Sequence, residues 1–255
     1  MSSKLGILRW ANIAAYIITL IINGLAGTTL IGGRTTADVS NQNPTLITPA
    51  GYVFSIWGII YLLVGVYLVY QALPSQKDKP FQAQISGLFI LTCVFNIVWL
   101  FLWQNLLLPL SDVVIFAYLV TLAAIYLRLN VGKSGRPLRE KLAVEVPFSV
   151  YFGWLTIASI ANVTVTLASA GWDGFGIAAE TWAIIVLALA LIIDLAAIVT
   201  RRDIAYSLVF IWALAGIAVN QSTQISIVYT AVVGIAVIAA ALAASFASKL
   251  RKHGE

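Results

Sequence analysis

The sequence predicts an all-α fold, a polytopic membrane bundle of about eight transmembrane helices with both termini in the cytoplasm. Three observations carry that prediction. Hydrophobic residues make up 61% of the 255-residue chain and charged residues 10%, whereas soluble domains carry about 25% charged residues. The apolar residues fall in long runs separated by short breaks rich in proline and glycine. The basic residues gather in alternate breaks. A soluble core could not hide this much apolar surface, so lipid must be the solvent for most of the chain.

A helix needs about 20 apolar residues to cross the hydrocarbon core. Runs of that kind lie near 11–32, 51–72, 86–108, 112–130, 144–170, 178–200, 204–220 and 224–248. The first follows Lys4 and Arg9 in the manner of a signal peptide, but it is long enough to span and no cleavage site stands out, so it reads as the first helix. Breakers punctuate the rest: Asn43-Pro44, Thr48-Pro49, Pro74, Pro80, Pro109, and Gly132 through Pro137. The seventh run is the shortest, and the charge pattern decides whether it counts. With the N-terminus inside, 14 of the 15 Lys and Arg fall on the inner side and only Arg34 falls outside. The positive-inside rule asks for this bias, and an odd number of helices would destroy it. The surface expected of the chain is therefore a lipid bilayer, in the plasma membrane, and not nucleic acid. Its net charge of +5 is spent on topology.

Some chemistries are excluded by residue type. Cys93 is the single cysteine, so the chain can form no internal disulfide and no cysteine metal site. His253, the only histidine, lies in the tail, which argues against a histidine-ligated haem or zinc. No lysine falls within an apolar run, which removes a retinal Schiff base. No set of nucleophile, base and orienting group stands out, so an enzyme is not expected.

Three helices carry side chains that lipid would not choose. Phe54, Trp57 and Tyr61 form one stripe on the second helix; Thr92, Asn96, Trp99 and Trp103 form another on the third; Tyr151, Trp154, Ala158 and Asn162 form one on the fifth. Trp10, Trp172 and Trp182 sit at helix ends, where interfacial belts place tryptophan. Trp99 and Trp154 lie too deep for that, and Asn96 and Asn162 need partners inside the bundle. Spacing alone allows two readings: packing seams glued by asparagine, or the walls of a ligand pocket below a long 33–50 loop.

At these stripes the chain resembles the tryptophan-rich sensory protein family, also called the translocator protein or peripheral benzodiazepine receptor family. The similar segments are Pro49-Ala-Gly-Tyr-Val-Phe-Ser-Ile-Trp57-Gly-Ile-Ile-Tyr61, Phe95-Asn96-Ile-Val-Trp99 with Trp103, and Tyr151-Phe-Gly-Trp154 followed by Asn162. Tyr52 stands where the family usually has tryptophan, Ser55 where it has proline, and Leu100 where it has a polar residue; Pro147 is displaced by three positions. The resemblance covers residues 1–170 as a five-helix unit. Residues 171–255 add three helices and a basic tail without an obvious match.

The resemblance implies a receptor or carrier for flat hydrophobic molecules, porphyrin or another tetrapyrrole, with sterols and lipids as further candidates. The site it implies is lined by Trp57, Tyr61, Asn96, Trp99, Trp103, Tyr151, Trp154 and Asn162. Two carboxylates support a different class. Asp194 lies mid-span in the sixth helix and Glu145 opens the fifth, and ionisable groups in a span are functional candidates by default. They would serve a proton- or ion-coupled transporter, unless Asp194 merely pairs with Arg201 or Arg202 or stays protonated against a hydroxyl. Glu180 lies four turns before Asp194 and so on the same face. A third reading is a scaffold subunit, with a homodimer or larger membrane complex as partner. Ala236, Ala240 and Ala244 mark a close-packing face on the eighth helix. A sterol-type pattern, Val120 to Tyr126 to Arg128, is too loose to define a site.

Overall fold

The computed structural model describes residues 2–254, with side chains described for residues 6–248. His253 and the basic residues Lys4, Lys249, Arg251 and Lys252 lie outside the latter range. Among the described residues the regular structure is entirely helical. The long helices are α1 (Ser2–Gly27), α2 (Ile56–Ala72), α3 (Pro80–Gln104), α4 (Leu108–Arg128), α5 (Val146–Ser169), α6 (Ala179–Arg201), α7 (Ile204–Asn220) and α8 (Ile225–Gly254). The chain is a polytopic membrane helix bundle.

Prolines set several boundaries. Pro80 and Pro109 occupy the first turns of α3 and α4, where a missing N–H costs nothing. Pro147 has no N–H to offer the carbonyl of Ala143, and the backbone just before it widens into a π turn, Lys141–Glu145. The carboxylate of Asp203 caps α7 by accepting from the Tyr206 N–H at 3.2 Å.

Side-chain bonds show which helix ends lie together. At one end Lys79 pairs with Glu140, Arg201 donates to Asn130, Arg202 to Ser248 and Gln71 to the carbonyl of Arg9. The α2–α3, α4–α5 and α6–α7 connections therefore meet there with the start of α1 and the end of α8. We call this the basic end. At the opposite end Gln104 reaches the carbonyl of Ala26, Trp103 that of Thr36, and Asn220 that of Thr48. Helix α7 has only 17 residues, about 25 Å at the usual rise, yet it runs from one end to the other. Seven of the eight helices are long and apolar enough to cross a membrane, and α7 is the shorter apolar eighth.

Helices α1–α5 enclose one apolar core and α6–α8 a second, with Phe152 and Ile157 of α5 touching both. Helix α7 is the joint, packed on α5, α6 and α8. Gly132, at φ +78°, belongs at this joint: a Cβ there would lie 2.0 Å from the carbonyl oxygen of Arg201. The alanine stripe of α8 behaves differently from its sequence reading. Ala236, Ala240 and Ala244 are exposed, and α8 packs instead through Ile227, Ala231, Gly234 and Ile238. Small residues on a helix permit close approach but do not choose the face that makes it; here the bulkier aliphatic stripe does. The sterol-type pattern has no common surface either, since Tyr126 is buried with its hydroxyl on Asp203 at 2.8 Å while Val120 faces outward.

Candidate functional site

The aromatic stripes of α2, α3 and α5 converge. Trp57 lies 5.9 Å from Trp99, 6.3 Å from Trp154, 6.0 Å from Tyr151 and 5.7 Å from Tyr61 between ring centroids. Trp99 stacks on Trp103 at 5.9 Å, and Phe54 meets the edge of Trp154 at 6.0 Å. These separations are those of attractive ring pairs, so the cluster is a rigid wall.

A cavity of about 60 Å³ opens beside this wall. Trp57, Trp99, Trp103, Trp154 and Asn162 border it, and Phe54, Ile157 and Ala158 complete that side. The far side comes from the three C-terminal helices: Val186, Leu187 and Ala190 of α6, and Phe210, Ala213, Leu214 and Ile217 of α7. Sequence reading placed the site inside a five-helix unit and did not include these residues, because an apolar, small-residue wall carries no signal to separate it from ordinary packing. The cavity lies at the seam between the two apolar cores.

The other three residues of the expected site do different work. Tyr61 donates to Asn23 Oδ1 at 2.6 Å, Asn23 donates to Asn96 Oδ1 at 2.6 Å, and Asn96 donates to the Tyr118 hydroxyl at 3.3 Å. This network joins α1, α2, α3 and α4 beneath the cavity. Tyr151 buttresses Trp57 and meets Tyr118 edge-on at 5.7 Å. None of Tyr61, Asn96 or Tyr151 borders the cavity. The asparagine glue and the pocket wall are therefore separate layers of one structure.

Polar anchors at the cavity are few. The Trp99 indole donates to Asn162 Oδ1 at 2.9 Å, and Asn162 donates to Ser111 Oγ at 2.8 Å and Asp112 Oδ1 at 2.6 Å. Trp154 is different. It is 2% exposed, and its indole N–H has no partner among the described residues. A buried donor left alone costs about 1–3 kcal/mol, so an acceptor brought by a ligand would be favoured there.

The α1–α2 connection roofs the cavity with Thr36, Ser40, Ile47 and Pro49. Its first half is a short helix, Thr36–Gln42, closed by a capping box in which the Thr35 N–H donates to Asp38 at 2.8 Å. That N–H, and then the Thr35 hydroxyl, hold the Asp38 carboxyl below its ordinary value. Its second half is tied down by α7. The Ala50 N–H donates to Gly216 O at 3.0 Å, Trp212 to Val53 O at 3.1 Å, Asn220 to Thr48 O at 3.0 Å and Gln221 to Thr45 O at 3.1 Å. Gly216 is required for this approach, because a Cβ there would sit 2.0 Å from Val53 Cγ2. Asn220 and Gln221 end the shortest apolar run and Trp212 lies midway along it, and these polar groups are the available hint.

The two carboxylates part company. Glu145 is buried, accepts from Ser134, and pairs with Arg136 at 3.2 Å. It anchors the α4–α5 loop. Asp194 is fully buried on α6; neither of its oxygens makes a close hydrogen bond among the described residues, and the polar group beside it is the Ser207 hydroxyl, which donates to the carbonyl of Asp203 instead. The expected pairing with Arg201 or Arg202 does not form, because Arg201 turns to Asn130 and Val131 and Arg202 to Ser248. Glu180 is exposed at the start of α6 and shares nothing with Asp194. Asp194 lies one turn beyond Ala190, on the α6 face that borders the cavity. Asp203, which no spacing pattern singles out, accepts from Tyr126 at 2.8 Å and Ser149 at 2.6 Å.

Comparison with known proteins returns one family. The model of the family described as TSPO-like protein matches residues 9–244, a span that runs through α6 and α7 and most of α8. No curated protein and no solved structure matches the chain.

Proposed function

Because the chain belongs to the TSPO-like protein family, we propose that it is a plasma-membrane receptor or carrier that holds a flat hydrophobic molecule in the seam cavity. It binds and does not catalyse. The observation that carries this reading is the seam cavity itself, walled mainly by rings and aliphatic side chains, with Trp154, whose buried indole N–H has no partner among the described residues, in its wall. Ligand pockets of this character combine apolar walls with a few polar anchors. A planar macrocycle with ring nitrogens or carboxylates, such as a tetrapyrrole, offers both the faces and the acceptors.

The present cavity of about 60 Å³ is well below the roughly 300 Å³ of an occupied pocket. Binding therefore requires the seam to open. An opening at the roof works against the bonds from α7 to residues 45–53. A ligand shifts that equilibrium by its preference for the open form. The test is a fluorescence titration with a porphyrin: Trp154→Phe, which keeps the ring and removes the donor, weakens binding about fivefold or more, one lost hydrogen bond. Equal affinity would remove Trp154 from the site.

A second reading, proton- or ion-coupled transport, rests on the unpartnered carboxylate of Asp194. It is tested in liposomes, where Asp194→Asn abolishes a gradient-driven flux at unchanged melting temperature. Glu145 has no part in this reading, since Arg136 already satisfies it.

A further inference from the structure

A second cavity, of about 550 Å³, lies at the basic end between α5, α7 and α8. It is far larger than the seam cavity and differs from it in chemistry. Its walls are Ile204 and Leu208 of α7 and Leu242 and Phe246 of α8, and Lys141 and Arg202 stand at its mouth. The apolar walls are not packed away: Ile204, Leu208 and Phe246 are 53%, 54% and 60% exposed.

Two cations and two carboxylates border this space, and only the carboxylates find partners within the fold. Glu145 is taken by Arg136 and Ser134, and Asp203 accepts from Tyr126, Ser149 and the Tyr206 N–H. Lys141 makes no ion pair among the described residues, and Arg202 makes only a long bond of 3.4 Å to Ser248. The carboxylates are thus saturated from within while the cations face the opening. Arg202 is the left-handed cap that ends α6, at φ +54°, with its N–H on the carbonyl of Ile198 at 2.9 Å, and this turn sets its side chain at the start of α7.

We propose that this crevice binds one anionic phospholipid, with Lys141 and Arg202 on the headgroup phosphate and an acyl chain along Leu208, Leu242 and Phe246. Basic pockets between helices at a membrane face suit anionic headgroups. The bilayer presents such molecules at the level where the cavity opens, and a free anion would leave the apolar walls bare.

The test is native mass spectrometry of the purified full chain with phosphatidylglycerol or phosphatidylcholine of matched acyl chains. Wild type retains one phosphatidylglycerol per chain in preference to phosphatidylcholine. Lys141→Gln with Arg202→Gln lowers that retention by about thirtyfold, the usual strength of two basic groups at a lipid surface. Lys77→Gln with Lys133→Gln removes the same charge from the same end outside the cavity and leaves retention unchanged. Equal loss in both pairs would mean general attraction and overturn the proposal, as would retention in the first pair. Displacement of the lipid by millimolar inorganic phosphate would assign the site to a free anion and overturn it too. Should the first pair not fold, Leu242→Asp, which sets a carboxylate against the acyl chain, is expected to lose the lipid, and retention there would contradict the assignment.

Discussion

The Trp99 indole donates to Asn162 Oδ1 at 2.9 Å, and that single bond joins the third helix to the fifth across the wall of the seam cavity. Asn162 then passes the connection on to Ser111 and Asp112 of the fourth helix. Asn162→Leu strands the Trp99 donor and should cost about 1–3 kcal/mol, read as a lower melting temperature in detergent. Trp99→Phe removes the donor and leaves only the Asn162 carbonyl without a partner while its amide still reaches Ser111 and Asp112; an under-satisfied carbonyl is tolerated better than an orphaned N–H, so this change should cost less. A larger loss in Trp99→Phe than in Asn162→Leu would show that ring packing, not the bond, sets the wall.

The roof is held from α7, so weakening that hold should expose what lies below it. Ser40 is buried and borders the cavity. A cysteine placed at Ser40, with Cys93→Ala removing the native thiol, should react slowly with a maleimide. Adding Asn220→Ala and Gln221→Ala should speed labelling about tenfold, the equivalent of some 1.4 kcal/mol. Acid acts on the other half of the roof. The Asp38 carboxyl is held below its ordinary value, so its support of the short helix is complete at neutral pH and is lost as pH falls through that lowered value. Unchanged labelling in the double variant would place the opening elsewhere in the seam.

Asp194 gives a prediction whose sign the structure reverses. From sequence, an ion pair with Arg201 or Arg202 would make its removal destabilising. With both oxygens unpartnered, Asp194→Leu instead relieves a buried polar group and should raise stability by roughly 1–3 kcal/mol. A fall in melting temperature of that size would reveal a bound partner for the carboxylate.

Helix number, helix order and the meeting of the aromatic stripes were legible because each rests on a strong local signal. Apolar runs of bilayer length, breaks with prolines and charge alternation determine the first two. The 3–4 spacing of Trp57, Trp99 and Trp154 with their neighbours determines the third. What stayed hidden depended on which faces meet. Residues such as Leu187, Ala190, Ala213 and Leu214 look the same facing lipid, packing or a cavity. The exposed stripe at Ala236, Ala240 and Ala244 is the same ambiguity resolved the other way. Likewise, spacing could not say that Asn96 would be consumed by Asn23, Tyr61 and Tyr118 while Asn162 reached the cavity.

The placement of the helix ends predicts how the bundle sits in the membrane. Cysteines at Asn41 and Phe175 should be labelled by an impermeant maleimide on intact cells, and cysteines at Lys133 and Lys77 only after lysis. All four positions are exposed, so reactivity reports sidedness. Labelling at Lys133 before lysis would invert the topology.

The seam cavity is tested most directly by filling it from the side that sequence did not foresee. Ala190 of α6 borders the cavity opposite the tryptophans, and Ala190→Phe places a ring in the space a ligand would occupy. The measurement is the dissociation constant of a porphyrin, from tryptophan quenching, for wild type and Ala190→Phe at matched melting temperature. The expected result is saturable binding by wild type and a loss of about tenfold or more in the variant, the 1–3 kcal/mol that a wall overfilled by one side chain costs. The same affinity in both proteins would contradict the assignment of the ligand to the seam.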